Sequence, residues 1–265
     1  MATREGCHCP GAGGQNNNNS ILYHILKNDR LTTIEEQTTP KPQQHQHQQQ
    51  QQACSCGSSR RRGSLRSPQV TCKAASAVLV KTLRFVKNVP CFRELPEDDQ
   101  LLLVRNCWAP LLVLGFAQDR VDFETTETAE PSMLQRILTG GSGSQSGLTD
   151  RQYIQGIKAF LKKCWGLDIS TKEYAYIKGA VLFNSDLPGL RYLHYIQSLR
   201  REAHQALNEH VKLIHRDDTT RFAKLLITLS MLRAISPPVV AQLFFKPVIG
   251  AVNMEDVLLE MFYGK

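Results

Sequence analysis

The chain has 265 residues, of which 42% are hydrophobic, and it carries a formal net charge of +8. This length suits one large domain or two small ones. Residues 1–72 contain 8 Lys/Arg against 4 Asp/Glu, and residues 73–265 contain 24 against 20, so the excess is evenly divided. That division argues against a dedicated nucleic-acid-binding domain. No apolar run approaches the ~20 residues that span a bilayer, and no secretory signal opens the chain, so neither membrane insertion nor secretion is expected.

Residues 1–69 are predicted to form a disordered tail, because they are poor in large apolar groups and rich in Gln, Asn, Ser, Thr, Gly and Pro. The tract Gln43–Gln52 is low-complexity and is given no fixed structure. The cluster Arg60–Arg62, with Arg66 nearby, leaves three interpretations open: a solvated linker, a nuclear import signal, or loose contact with RNA. One short apolar segment, Ser20–Leu26, interrupts the tail.

The cysteines give little support for a metal site. Cys7 with Cys9, and Cys54 with Cys56, are each separated by one residue, whereas zinc-finger ligands typically stand two to four residues apart. We therefore predict reduced thiols and no metal site, with zinc as the lesser alternative. Three further cysteines are expected to be small buried groups among apolar neighbours: Cys91, Cys107 and Cys164. No phosphate-binding, hydrolase or metalloprotease signature occurs, so neither enzyme activity nor a cofactor is expected.

From residue 70 onward, apolar residues recur at helical spacing, which predicts an all-α domain of about ten helices over residues 70–265. A capping box at Ser170 and Glu173 opens one of these helices. The predicted helices lie around Leu79–Val86 and over Asp98–Asn106, Trp108–Gln118, Pro131–Thr139, Thr171–Phe183, Arg191–Ile214, Thr220–Ile235 and Glu255–Tyr263. A short strand is predicted at Val121–Glu124 and a flexible loop at Gly140–Gly147. Four histidines are expected on the solvent side: His194, His204, His210 and His215.

Two distant segments carry a family resemblance. Phe85 is followed by Lys87, Phe92, Leu95 and the pair Asp99 and Gln100, in the order and spacing of a known signature. That signature resembles the one found in nuclear receptor ligand-binding domains. At the other end of the chain, Asp256–Phe262 is similar to the activation helix of those receptors. The resemblance implies a three-layer helical sandwich.

The subfamily follows from what precedes the domain. A receptor of ordinary build carries two four-cysteine zinc modules there, whereas this tail carries Leu22, Ile25 and Leu26. This arrangement resembles nuclear receptor subfamily zero, group B, whose members lack a DNA-binding domain. The segments Arg105–Trp108 and Ile169–Tyr176 favour the member type that repeats the tail motif, although this tail holds a single copy.

The subfamily resemblance implies a transcriptional corepressor of steroidogenic and gonadal or adrenal genes, located in nucleus and cytoplasm. The implied partners are other nuclear receptors, of the steroidogenic-factor and steroid types, and corepressor proteins, with no specific DNA binding. A second copy of the chain, forming a homodimer, is a further possible partner. The alternative is a ligand-regulated receptor in which a small lipophile fills the interior and switches the last helix.

By the same resemblance, the domain has a groove for a short Leu-x-x-Leu-Leu helix. Lys87 would cap the C-terminus of that helix and Glu260 its N-terminus, each facing the helix-dipole end of opposite sign. The groove floor between them would be formed by Leu83, Gln100, Leu101 and Val104. The alternative for Lys87 is an ordinary surface lysine. The last helix should pack through one apolar face: Met254, Val257, Leu258, Met261 and Phe262.

The tail motif is the predicted docking element. Leu22, Ile25 and Leu26 fall at i, i+3 and i+4, so one face of a helical turn carries all three. The alternative is a chance apolar segment. Because groove and motif share one chain, self-binding within the molecule or between copies is a further prediction. Phe92 and Leu95 offer either a second docking surface or simple core packing.

Overall fold

The structure is a computed structural model and describes residues 61–129, 146–250 and 253–264. Two short strands, β1 (Arg61–Leu65) and β2 (Thr125–Ala129), and a 3₁₀ turn (Leu232–Ala234) accompany the helices. The α-helices of these ranges are α1 (Pro68–Asn88), α2 (Pro90–Arg93), α3 (Glu97–Gln118), α4 (Ser146–Leu167), α5 (Thr171–Leu182), α6 (Leu193–Ile214), α7 (Arg221–Met231), α8 (Pro237–Phe244), α9 (Lys246–Ile249) and α10 (Met254–Tyr263). The tail motif and the predicted helix Pro131–Thr139 lie outside the described residues.

The helices form three layers around α3. Helix α3 contacts α1, α4, α5 and α8, and α5 in turn packs against α6. Most of α3 is buried from Leu103 to Ala117, which explains why its sequence has no polar face. By length and composition α3 could span a membrane, but it serves here as the core helix. The all-α prediction is confirmed.

Helix α3 corrects one sequence prediction. Two helices were expected, separated near Cys107, with Pro110 in the first turn of the second. The structure has one continuous helix with Pro110 inside it. A proline there removes one backbone hydrogen bond and usually kinks or breaks a helix. Burial of the flanking residues, including Trp108 at 3% and Leu111 at 2% exposure, outweighs that local cost.

The folded domain begins earlier than predicted. Strand β1, placed in the disordered tail by composition, pairs antiparallel with β2, from Arg61 opposite Ala129 to Leu65 opposite Thr125. Leu65 is buried, and Arg66 forms an ion pair with Glu124. A strand formed by long-range pairing carries little local signal, so the boundary at residue 70 is too late. The strand expected at Val121–Glu124 is likewise wrong, because β2 follows that segment.

The start of α5 confirms the predicted capping box. The Ser170 hydroxyl accepts from the Glu173 backbone N–H, and the Glu173 carboxylate accepts from the Ser170 N–H at 2.8 Å. The same carboxylate forms a bidentate salt bridge with Arg221 of α7, which donates to its two oxygens at 2.6 and 2.7 Å. Burial raises the pKa of Glu173, but the hydrogen bonds from Arg221 and Ser170 outweigh it, so the pKa lies below its ordinary value. A single sequence motif thus also positions α7.

The C-terminal half differs from prediction in details. The helix predicted over Thr220–Ile235 is an α-helix only to Met231 and tightens into the 3₁₀ turn before Pro237. Of the four histidines, only His194 is exposed as expected, whereas the other three are half-buried. The ring centre of His210 lies 5.7 Å from that of Tyr176, with the two ring planes tilted by 56°. Neighbouring layers cover the flanks of α6, which the pattern of α6 alone did not show.

Candidate functional site

The predicted site residues Lys87 and Met261 meet at the C-terminus of α10. The Lys87 ammonium, on the last turn of α1, donates to the Met261 carbonyl at 3.0 Å. It also lies 5.5 Å from the centre of the Phe262 ring. The last carbonyls of a helix have no partner within it and form the negative end of its dipole, so a cation there is favourable. Lys87 therefore caps the chain's own last helix.

The other end of α10 is capped as well. The Asn253 side chain accepts a hydrogen bond from the Glu255 N–H at 3.1 Å, and Glu255 and Asp256 occupy the first turn, where acidic groups suit the dipole. Glu255 pairs with Arg105 of α3 at 3.8 Å. Because α10 is tied to Arg105 at one end and to Lys87 at the other, it lies across the surface between α3 and α1.

The predicted groove floor divides into two kinds of residue. Leu83 and Val104 are buried, at 3% and 4% exposure, and Leu101 is half-buried. Gln100 is half-buried too, but its amide donates to the Leu95 carbonyl at 2.7 Å, two residues past the end of α2. Gln100 therefore also holds α2 in place, a role that the sequence prediction did not include.

The two predicted clamp residues do not face opposite ends of an open groove in this structure. Glu260 is exposed and precedes Met261, the residue whose carbonyl receives Lys87. The clamp around a bound peptide stays a prediction, and it requires α10 in another position. Of the predicted apolar face of α10, Met254, Leu258 and Phe262 are buried, and Val257 and Met261 are half-buried.

The proposed second docking residues point inward. Phe92 is 0% and Leu95 4% exposed, and the Phe92 ring meets the Phe262 ring edge-on at 5.9 Å. In this structure Phe92 and Leu95 therefore pack in the core, which is the alternative to a second docking surface. Docking through Phe92 would first require Phe262 to move.

One positioning residue was missed by sequence reasoning. Asp99, 1% exposed, accepts from the backbone N–H groups of Arg191 and Tyr192, each at 2.9 Å. It thereby fixes the start of α3 against the residues that precede α6. The signal was present, because the family signature contains this acid, but its partners lie about 90 residues away and no local pattern indicates them.

The interior between α3 and α8 is occupied by aromatic rings. Phe244 contacts Phe116 and Phe123, in both cases with ring centres 5.2 Å apart. A lipophile-filled interior gains no support from this packing. The ligand-sensor alternative stays a prediction, which native mass spectrometry can test by looking for a retained lipid.

Cysteines and metal ligands add no chemistry within the described ranges. No group of three His, Cys, Asp or Glu side chains there could hold a metal ion, and the tail cysteines lie outside these ranges. Burial raises the pKa of the thiols of Cys91, Cys107 and Cys164 to about 12. The prediction that these three are small buried groups is confirmed.

Comparison with known proteins identifies the fold family. Residues 66–249 match the family described as the ligand-binding domain of nuclear hormone receptor. The chain is 52% identical over 227 residues to nuclear receptor subfamily 0 group B member 1 of Sus scrofa, covering 77% of this chain and 48% of that protein. The Homo sapiens protein of the same name is 51% identical over 223 residues, covering 76% and 47%.

The Mus musculus protein of that name is 47% identical over 223 residues. This chain spans about half the length of these relatives. The subfamily resemblance inferred from the signature, the last helix and the tail is confirmed. The chain belongs to the nuclear hormone receptor family and carries a ligand-binding domain of the subfamily 0 group B member 1 type.

Proposed function

We propose that this protein is a transcriptional corepressor that docks on other nuclear receptors through Leu22, Ile25 and Leu26. The observation that carries the proposal is the i, i+3, i+4 spacing of these residues beside a receptor-type domain. Grooves that accept amphipathic helices recognise this spacing, because it places all three side chains on one face. By entering a partner receptor's groove, the motif keeps true coactivators out.

The state of the domain's own groove supports the proposal. A receptor that recruits coactivators needs its groove lysine available to cap the incoming helix. Here Lys87 is bonded to the carbonyl of Met261 within the same chain. A protein that carries a docking motif while its own groove lysine is engaged suits the role of a competitor for coactivator sites.

The proposed location, partners and target genes are taken from the family to which the chain belongs. Nuclear hormone receptors are generally non-enzymatic transcription regulators that act in the nucleus, and we propose the same here, with the cytoplasm as a second location. The proposed partners are steroidogenic-factor-type and steroid receptors together with corepressor proteins, and the proposed targets are steroidogenic and gonadal or adrenal genes. Ile25 replaces the more usual Leu, a nearly volume-conserving change that should weaken docking without abolishing it.

The test is a titration of the full chain against the ligand-binding domain of a steroidogenic-factor-type receptor. Leu22→Ala with Leu26→Ala should lower the affinity about tenfold or more while leaving the melting temperature unchanged. The matched control is Tyr23→Ala with His24→Ala, which alters the same segment off the docking face and should bind as wild type does. Equal affinity of wild type and the Leu22/Leu26 variant would contradict the proposal.

A further inference from the structure

A cleft separate from the predicted groove lies where α3, α6 and α7 meet the turn that follows α5. Its volume is about 510 Å³, which is in the range of sites for small molecules. Among the described residues, neither those of the groove nor the aromatic rings between α3 and α8 line it. The apolar part of its wall comes from three helices and the turn before α8: Pro110, Val181, Leu226, Leu229 and Ile235.

The polar part of the cleft has more positive than negative charge. Arg200 of α6 lies 2.9 Å from one oxygen of the Asp186 carboxylate, and Arg233 of the 3₁₀ turn lies 3.7 Å from the other. Asp186 is the single acid among the described residues that line the cleft. His204 adds no charge at neutral pH, because burial and the nearby Arg200 lower its pKa. Two cations therefore share one carboxylate, which leaves an excess of one positive charge.

The Arg200 guanidinium has one edge without a protein partner in the part of the chain that the structure describes. Its contacts with the Ser185 hydroxyl, at 3.3 Å, and with Asp186 both use the same nitrogen, Nη1. The remaining Nε and Nη2 groups form a planar fork that matches a carboxylate, which can accept two parallel hydrogen bonds from it. Because the Arg200 side chain is only 22% exposed, bulk water solvates this fork incompletely, and an anion there would be favourable.

We propose that this cleft binds a small amphipathic carboxylate, which pairs with the Nε and Nη2 edge of Arg200 and lays its apolar body on Leu226, Leu229 and Ile235. A carboxylate carries one negative charge and so balances the excess of the cleft. A phosphate monoester carries nearly two at neutral pH, and the second would be repelled by Asp186. The inference is independent of the proposed function, because the tail motif takes no part in it.

The experiment is a calorimetric titration of the full chain with three matched probes: 2-naphthylacetate, the uncharged 2-naphthylacetamide and 2-naphthyl phosphate. The carboxylate should bind at least about tenfold more tightly than the other two, since it alone matches the fork in both shape and charge. Arg200→Gln should lower its affinity by at least about tenfold for the same reason. The control is Arg201→Gln, an exposed neighbour on α6 that does not line the cleft and should leave the affinity unchanged.

Asp186→Asn distinguishes a binding role from a structural one. Loss of this carboxylate releases both arginines to the probe, so affinity for 2-naphthylacetate should rise by about threefold or more. A substitution that merely loosened the cleft would lower the affinity instead. Should Arg200→Gln fail to fold, Asp186→Asn decides, because Asp186 is 61% exposed and its replacement leaves the core intact.

Five results would overturn the inference. They are no binding of 2-naphthylacetate, equal binding of the acid and its amide, undiminished binding to Arg200→Gln, unchanged or weaker binding to Asp186→Asn, and tighter binding of the phosphate. Undiminished binding to Arg200→Gln would place the probe in the interior of the domain. Amide protection of residues 226–235 that grows with protein concentration would show that a second copy of the chain fills the cleft, which also contradicts a small-molecule site.

Discussion

Two junctions of the domain hold their helices in opposite ways. At the α5–α7 junction, Glu173 is fully buried, and its carboxylate accepts from Arg221 and from the Ser170 N–H. Arg221 also donates to the Leu167 carbonyl at 3.0 Å. At the α10 end, one half-buried lysine, two aromatic contacts and an exposed ion pair hold the helix.

The difference lies in what each junction would lose on opening. Separating Arg221 from Glu173 would leave a buried carboxylate without its cation, with only the Ser170 N–H at 2.8 Å and the His215 ring at 3.6 Å beside it, a cost that disfavours partly open states. Separating α10 from α1 releases Lys87 into water, where it is readily solvated, so apolar burial and one half-buried hydrogen bond are what oppose opening. The first junction is suited to a permanent framework, and the second is expected to open more readily.

The largest expected effect tests the framework junction. Arg221→Ala should lower the free energy of unfolding by about 3–5 kcal/mol, because Glu173 is left buried and charged. Urea unfolding is the measurement. The matched control is Lys224→Ala, on the same helix as Arg221, which removes a partly exposed pair with Asp218 and should cost much less. Equal losses of unfolding free energy in the two variants would show that the buried pair stabilises the fold no more than the partly exposed pair does.

A smaller effect is expected where α3 crosses α1. A Cβ added at Gly115 would lie 2.5 Å from a methyl carbon of Val78, so Gly115→Ala overpacks the core and should cost about 1–3 kcal/mol. Gly156, in α4, has no atom within 4 Å of such a Cβ. Gly156→Ala should therefore stabilise by up to about 1 kcal/mol through helix propensity. Thermal unfolding should show a lower melting temperature for Gly115→Ala and a higher one for Gly156→Ala. Shifts of the same sign would contradict this account.

The pH dependence of stability tests the Arg221–Glu173 pair, because protonation of Glu173 removes the charge that Arg221 binds. The pKa of Glu173 is lowered in the folded state, so its contribution to stability is full above the ordinary value of 4.5 and is lost as pH falls through the folded value. Urea unfolding measured between about pH 7 and 3 should show a steeper loss below pH 4.5 for wild type than for Glu173→Gln. Parallel curves would mean that another group dominates the acid sensitivity.

The smallest effect on stability is expected at the contact between Lys87 and α10. Lys87→Ala removes one half-buried hydrogen bond and should lower the free energy of unfolding by about 0.5–1.5 kcal/mol. The larger effect of Lys87→Ala should be local: amide exchange should become faster at residues 254–263 and stay unchanged at residues 171–182. Lys73→Ala, at an exposed position on the same helix, is the control. Equal exchange rates in wild type and Lys87→Ala would show that this lysine does not hold α10.

The sequence predicted those elements whose signal is local. The capping box at Ser170 and Glu173, the apolar face of the last helix and the buried cysteines each follow from side chains a few residues apart. Elements that depend on distant partners were missed or misplaced. Strand β1 needs β2 some 60 residues away, and the continuity of α3 through Pro110 depends on layers packed around it.

By itself, the sequence determined the receptor fold, because a helical pattern and a family signature are properties of neighbouring residues. It could not determine which helix Lys87 would cap. An ammonium at the end of α1 suits the C-terminus of any helix, whether from a partner, the tail or α10. Tertiary structure decided between them, since it brought the Met261 carbonyl within 3.0 Å of Lys87 and buried Leu258 and Phe262 beside it.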